Sequence, residues 1–208
     1  MRAQTILYYL YELKQKNRIP SIPIFLDSPS AIKVSNIFCK FADEYTLTPE
    51  VCKNIMATAT FTLTVKESKQ IDRVNGSAII ISGSGMADGG RMPFHMQKYI
   101  SDANNTILFV GYQAKGTDGR LLLDGIEQLR IYDQDYPVHA TIKNIQSLSA
   151  HADAQEIIDW LAHLEQAPKK IFLTHGEVQS SETLKKTIED HFHWPVVIPT
   201  YAESFDLE

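Results

Sequence analysis

Two histidines and one glycine-rich stretch are the residues of this 208-residue sequence whose types and spacing could do chemistry. His151 lies in Ser147-Leu148-Ser149-Ala150-His151-Ala152-Asp153, between a strand-like run and an amphipathic helix. His175 lies in Thr174-His175-Gly176-Glu177, again just past an apolar run. An imidazole can bind a metal ion or move a proton near neutral pH. If residues 145–174 form a parallel βαβ unit, its right-handed crossover brings both histidines to one sheet edge, where α/β proteins bind ligands. On spacing alone two readings stay open: a shared functional site, or two solvated loop histidines.

The neighbours of these histidines carry information of their own. Asp153 and Glu156 have the spacing of a capping box, so Asp153 is expected to cap the helix and leave His151 free to point out of the loop. Gly176 would permit a sharp turn, and Glu177 could orient His175 from behind, as metal-bound histidines are usually held. The stretch Ser82-Gly83-Ser84-Gly85-Met86-Ala87-Asp88-Gly89-Gly90-Arg91 follows an apolar strand and precedes a helix. A dinucleotide fingerprint fits it poorly, because the third glycine comes one place late and no acidic residue closes a strand about twenty places on. Amides at a helix N-terminus, the hydroxyls of Ser82 and Ser84, Gly85 and the Arg91 guanidinium would instead make a phosphate cradle. The alternative is a tight strand-to-helix turn.

The elements that must position these groups alternate in the α/β manner. Helical spacing of Ile6, Leu7, Leu10 and Leu13 predicts a first helix over 3–16, ended by Pro20 and Pro23. A strand over 22–26 and a helix over 31–41 follow. Residues 46–75 predict short helices, one opening at Thr48-Pro49-Glu50 and one over 67–74. Strands are predicted over 78–82, 106–111, 129–132, 138–142, 145–149, 171–174 and 196–198, and helices over 91–100, 119–123, 154–164 and 182–191. A boundary falls near 125–140, where the connection is polar and the strand style changes.

Composition narrows the classes. With 44% hydrophobic and 22% charged residues the chain is an ordinary globular one, and its net charge of −5 shows no overall basic footprint for nucleic acid. A local positive funnel remains compatible with that balance. The apolar run at 77–81 is far too short to span a bilayer and no signal segment opens the chain, so a cytoplasmic protein is expected, with no membrane partner. Cys39 and Cys52 lack CxxC spacing and are expected as buried free thiols. His95, His139 and His163 read as surface or packing residues, and His191-Phe192-His193 as a helix end. Met1 stands before a helix already running, and Leu207-Glu208 ends the chain abruptly, which reads as a piece of a longer protein.

Three stretches in order, ISGSGMADGGR, NNTILFVGYQAKGTDGRLLLDG and the pair SAHAD and THGE, resemble the β-CASP branch of the metallo-β-lactamase superfamily. These are RNA-processing nucleases of the RNase J and pre-mRNA 3′-end cleavage kind. The opening RAQTILYYLYELKQKNRIPSIPIFLDSPSA is similar to the start of the β-CASP insert, so the resemblance covers nearly the whole chain. It implies a largely parallel-sheet, Rossmann-like α/β/α β-CASP domain over 1–128. A βαβα segment over 129–208 would complete a metallo-β-lactamase domain in the full-length protein. Phe94-His95 stands where many relatives have two adjacent histidines.

What the resemblance implies for residues follows motif by motif. His151 matches the histidine that contacts the scissile phosphate and is a candidate general acid. His175 matches a ligand of one of two zinc ions. The loop Ser82 to Arg91 matches the stretch lining the RNA channel, where Ser82, Ser84, Gly85 and Arg91 are expected on phosphate, with Asp153 and Glu177 supporting. The HxHxDH motif, the later histidine, the bridging aspartate and a further acidic motif are absent from this sequence. One imidazole cannot hold a catalytic zinc, which wants at least three protein ligands. The expected function is therefore that of part of a zinc-dependent hydrolase, a ribonuclease cleaving phosphodiester bonds, with this chain alone inactive and its zinc site absent or incomplete. Its partners would be RNA and the metallo-β-lactamase region of the same protein, with oligomerisation left open. The alternative is a non-catalytic RNA-binding or partner-docking module. A nucleotide-binding domain using the glycine loop ranks last.

Overall fold

Helix α1 (Arg2–Gln15) turns Leu7 and Gln4 inward and lies beside a small parallel sheet, in a computed structural model that describes residues 2–45, 47–149 and 151–206. The side chain of Tyr45 is outside that description. Met1, Leu207 and Glu208, on which the reading of the termini rests, and Ala150, within SAHAD, also lie outside the described residues. The chain divides into two compact units, Met1–Ser149 and Ala150–Glu208.

In the first unit, β1 (Ile24–Asp27) leads into α2 (Pro29–Lys40), which starts on the Ser28 side chain with Pro29 in the first turn. Proline costs nothing there, since its missing N–H would have no helical partner. A 3₁₀ turn (Ala42–Tyr45) precedes α3 (Pro49–Met56), capped by Thr48. Then come β2 (Thr60–Phe61), α4 (Val65–Ile71) and β3 (Ile79–Ser82). β1 runs parallel between β2 and β3, and the register pairs Asp27 with Ser82, so both strands end at the same edge. Leu7, Ile24, Leu26, Ile32 and Ile55 form the core beneath.

The rest of this unit has a second core, in which Met96, Ile100, Ile107, Phe109, Leu122, Leu129 and Ile131 meet. It is built from α5 (Met92–Tyr99), β4 (Thr106–Val110), α6 (Asp118–Leu123), β5 (Gln128–Ile131), β6 (Gln134–Pro137) and β7 (Thr141–Ile145). β4 pairs parallel with β7, whereas β5 and β6 form an antiparallel hairpin. The second unit contains α7 (Ala154–Leu161), β8 (Ile171–Phe172), α8 (Val178–Phe192) and β9 (Val196–Val197). Its strands pair parallel, over a core of Ile158, Leu161, Ile188 and Val196.

The α/β class and the predominance of parallel pairing agree with expectation; several elements differ. The strand expected over 138–142 falls across the gap between two strands: Tyr132-Asp133 turns β5 straight into β6, which ends at Pro137, and the next strand begins only at Thr141. The strand expected over 145–149 ends at Ile145, where its pairing with β4 ends. Within its own unit β7 is bonded to β4, and within the other β8 is bonded to β9. Helix α8 begins at Val178, four residues earlier than predicted, with no side-chain cap to announce it. Cys39 and Cys52, expected as free thiols, are joined in a disulfide with their Cα atoms 5.7 Å apart. Packing of α2 on α3 brings them together, which needs no CxxC spacing. No helix among the described residues is long and apolar enough to cross a membrane.

Candidate functional site

At the shared end of β1 and β3 a carboxylate is buried where an apolar strand runs out. Asp27 is 0% exposed and accepts hydrogen bonds from Thr62 Oγ1 and Arg91 Nη1 on one oxygen. On the other it accepts from Ser68 Oγ at 2.7 Å and His95 Nε2 at 2.7 Å. Burial by itself pushes the Asp27 carboxyl up, yet the bonds from Ser68, Thr62, His95 and Arg91 outweigh it and hold the group below its ordinary value of 3.8. Asp27 is thus ionised, which requires His95 to present an N–H at Nε2.

This network anchors both ends of the glycine loop. Ser82 Oγ donates to the Asp27 carbonyl oxygen at 3.2 Å, and Arg91 also donates to the carbonyls of Thr62 and Leu63 at 3.0 and 2.8 Å. The Arg91 side chain, expected on phosphate, is largely buried and ion-paired with Asp27. Between these ends the Ser84 N–H donates to Gly89 O and the Met92 N–H to Gly83 O, closing the loop on itself. Gly90 adopts φ +65°, and a Cβ there would lie 2.7 Å from Gly83 O, so both conformation and space demand glycine. Ser84 Oγ donates to Asp88 Oδ1 at 3.1 Å. Among the described residues no hydrogen bond uses the amides of Gly85, Asp88, Gly89 or Gly90. Gly85, Asp88 and Gly90 are exposed, so the fixed loop carries amides that are not already engaged in its own bonding.

The stretch after β4 holds the loop from the other side. Gln113, only 4% exposed, donates through Nε2 to Gly85 O at 2.9 Å and to Tyr112 O at 3.0 Å. The Ala114 N–H reaches Met86 Sδ at 3.2 Å, and the Gly119 N–H reaches Met86 O at 2.9 Å. Gly119 has no room for a Cβ, which would meet Gln113 Oε1 at 1.9 Å. Burial raises the Asp118 carboxyl, and the nearby Asp88 carboxylate raises it further.

In the second unit both histidines are exposed. Asp153 accepts from the Glu156 N–H at 2.9 Å while Glu156 accepts from the Asp153 N–H at 2.8 Å, a complete capping box just after His151. His175 itself takes the left-handed conformation, φ +66°. Gly176 does not take the positive-φ turn expected of it, and a Cβ there would lie 2.3 Å from Ser181 Oγ, which would have to rotate away. Glu177 is the residue before α8, which it joins without a side-chain cap bond. Among the described residues no three His, Cys, Asp or Glu side chains converge to hold a metal. His175 alone does not make a zinc site.

Sequence reasoning passed over Asp27, Thr62, Ser68 and His95. The available signal was an acid closing the buried strand Ile24-Phe25-Leu26-Asp27, a place where a charge must find partners. Among the described residues the rings of His139 and His163 bond to backbone oxygens, of Ser101 and Asp159.

The Beta-Casp domain model matches residues 3–122, and the model of a Zn-dependent metallo-hydrolase RNA specificity domain matches residues 135–199. The chain belongs to the β-CASP family of the metallo-β-lactamase superfamily. It is 33% identical over 193 residues to ribonuclease TTHA0252 of Thermus thermophilus, covering 90% of this chain and 43% of that one. It is 27% identical to transcription termination factor FttA of Methanothermobacter thermautotrophicus, covering 100% of this chain and 34% of the relative. An RNase J-like protein of Methanocaldococcus jannaschii is 26% identical, covering 95% of this chain and 46% of its own. The chain thus spans less than half the length of these curated relatives.

Proposed function

We propose that the full-length protein is a zinc-dependent ribonuclease that hydrolyses RNA phosphodiester bonds, and that this chain supplies its RNA-holding loop and two of its working histidines. The observation that carries this reading is the glycine loop, braced on both sides with amides left free, in a chain matched by both the Beta-Casp and the RNA specificity models. Free amides on a fixed loop bind an anion with little reorganisation. Gly85 and its neighbours, with the Ser84 hydroxyl, hold an RNA phosphate, while the Ser82 hydroxyl, expected there too, stays on the Asp27 carbonyl and fixes the loop's first end. Ser84 exchanges its bond to Asp88 for one to a phosphate oxygen. Arg91 acts here through its charge and by fixing the loop end from its place on Asp27.

His175 serves as one ligand of a zinc ion, and its other ligands are not supplied by the described residues. His151 stabilises charge at the scissile phosphate or gives a proton to the leaving oxygen. This chain alone is inactive in that reading, for want of a metal site. In the full-length protein, His175→Ala is expected to lower the zinc content measured by elemental analysis. His151→Ala is expected to keep the zinc and lower kcat about 10²–10⁴-fold. The reverse pattern would exchange the two roles. A full-length protein that binds RNA but never cleaves it would instead be an RNA-holding module.

A further inference from the structure

Helix α4 has two faces with different tasks. Its inner face carries Ser68, bonded to Asp27, and the buried Ile71. Its outer face and the turn beyond carry Lys66, Lys69, Gln70 and Arg73, spaced three, four and seven residues apart so that they share one side. All four are exposed, and with Val65 they line a groove of about 380 Å³.

The acids that could neutralise this face are already engaged. Glu67 accepts from the N–H groups of Leu63 and Thr64, and those bonds hold its carboxyl below the ordinary range. Asp72 pairs with Lys98 at 3.5 Å. Among the described residues the side chains of Lys66, Lys69 and Arg73 have no ion pair or hydrogen bond. Three unpaired cations on one face of a protein of net charge −5 are a local positive site against an acidic background. The face is also tied to the glycine loop, because Leu63, just before α4, accepts through its carbonyl from Arg91 at 2.8 Å.

We infer that Lys66, Lys69 and Arg73 form a second contact for RNA, a sequence-independent rail for the backbone of a single strand whose phosphate is held at the glycine loop. The occupant is a polyanion because three exposed cations with no anionic partner among the described residues line one groove, and the stems of Lys66, Lys69 and Arg73 can lie along it with their charged heads free to meet successive phosphates. The inference rests on the RNA-processing reading, which supplies the polyanion. Phosphate contacts of this kind position a strand without reading its bases, and they show themselves in salt dependence.

The test uses the full-length protein and uridine homopolymers, one long and one only a few nucleotides in length. Equilibrium binding and cleavage are measured across a salt series for the wild type, for Lys66→Gln/Lys69→Gln/Arg73→Gln, and for Lys66→Glu/Lys69→Glu/Arg73→Glu. Loss of three phosphate contacts is expected to flatten the log–log salt slope for the long strand by about 2. KM for the long strand should rise in the order wild type, Gln variant, Glu variant, with kcat and short-strand cleavage unchanged. An unchanged slope in both variants overturns the rail, including the case in which the patch serves an acidic protein segment. The Gln variant keeps the side-chain stems and carries the test if charge reversal disturbs folding. If the wild type binds the long strand without cleaving it, the nuclease reading fails while the binding slopes still decide the rail.

Discussion

The glycine loop of the first unit and the His175 loop of the second are both short connections from a parallel strand to a helix, yet they are built oppositely. The glycine loop is fixed by groups from three other segments: the Asp27 carboxylate and the Thr62 carbonyl, which hold Arg91, and the Gln113 side chain. Its own bonding leaves the amides of Gly85, Asp88, Gly89 and Gly90 without a hydrogen bond among the described residues. The His175 loop has exposed residues, a left-handed backbone at the histidine itself and a glycine close against Ser181. One loop is pre-organised by its own unit. The other carries an exposed imidazole, which in the proposed role would take its place on a metal. Preorganisation suits a group that must hold an anion through many encounters, whereas a ligand histidine gains its order from the bond it makes.

Removing the anchor of the first loop is the largest way to break this contrast. Asp27→Ala leaves Arg91 and His95 buried without their carboxylate, and is expected to destabilise the first unit by about 3–5 kcal/mol in urea unfolding. The same carboxylate predicts an acid limb. Its folded pKa is depressed, so the stability it contributes is complete above the ordinary value of 3.8 and is lost as pH falls through the lower, folded value. A first unit whose unfolding free energy is flat across that window would remove Asp27 as anchor.

A smaller effect is expected from Gly90→Ala. The methyl group meets the backbone oxygen of Gly83 at a positive φ, and neither can move cheaply. A cost of about 1–3 kcal/mol is expected, accompanied by weaker binding of inorganic phosphate in titration calorimetry. Unaltered phosphate binding would show that loop shape does not matter to the cradle. The smallest effect should appear in the other loop, with the opposite sign. His175→Gly relieves a left-handed residue worth about 1–2 kcal/mol, partly offset by glycine's extra chain entropy, so the second unit should gain about 0.5 kcal/mol or slightly more. A loss of stability there would mean that the imidazole packs to structural purpose.

Legibility in the sequence followed the range of the interaction. The capping box at Asp153 and Glu156 was readable because its partners are three residues apart, and the same signature at Thr64 and Glu67 went unused, which placed α4 two residues too late. The strand predicted over 145–149 instead ends at Ile145, because QSLS has strand-like residues but the ladder with β4 stops at the Val110–Ile145 pair. The Cys39–Cys52 bridge and the burial of His95 depend on which helices and strands become neighbours, and local spacing says nothing about that.

Sequence alone determined the α/β class, the family, the glycine loop as an anion-binding candidate and the two histidines as distinct from the rest. These are carried by periodicity, turn chemistry and motif order, all of which are short-range or ordered along the chain. Only the tertiary structure decided that Asp27, 64 residues before Arg91, neutralises it, and that Gln113 holds Gly85 from 28 residues away. It alone brought out the bare cationic face of α4, because whether a charge is free depends on where every opposite charge has gone.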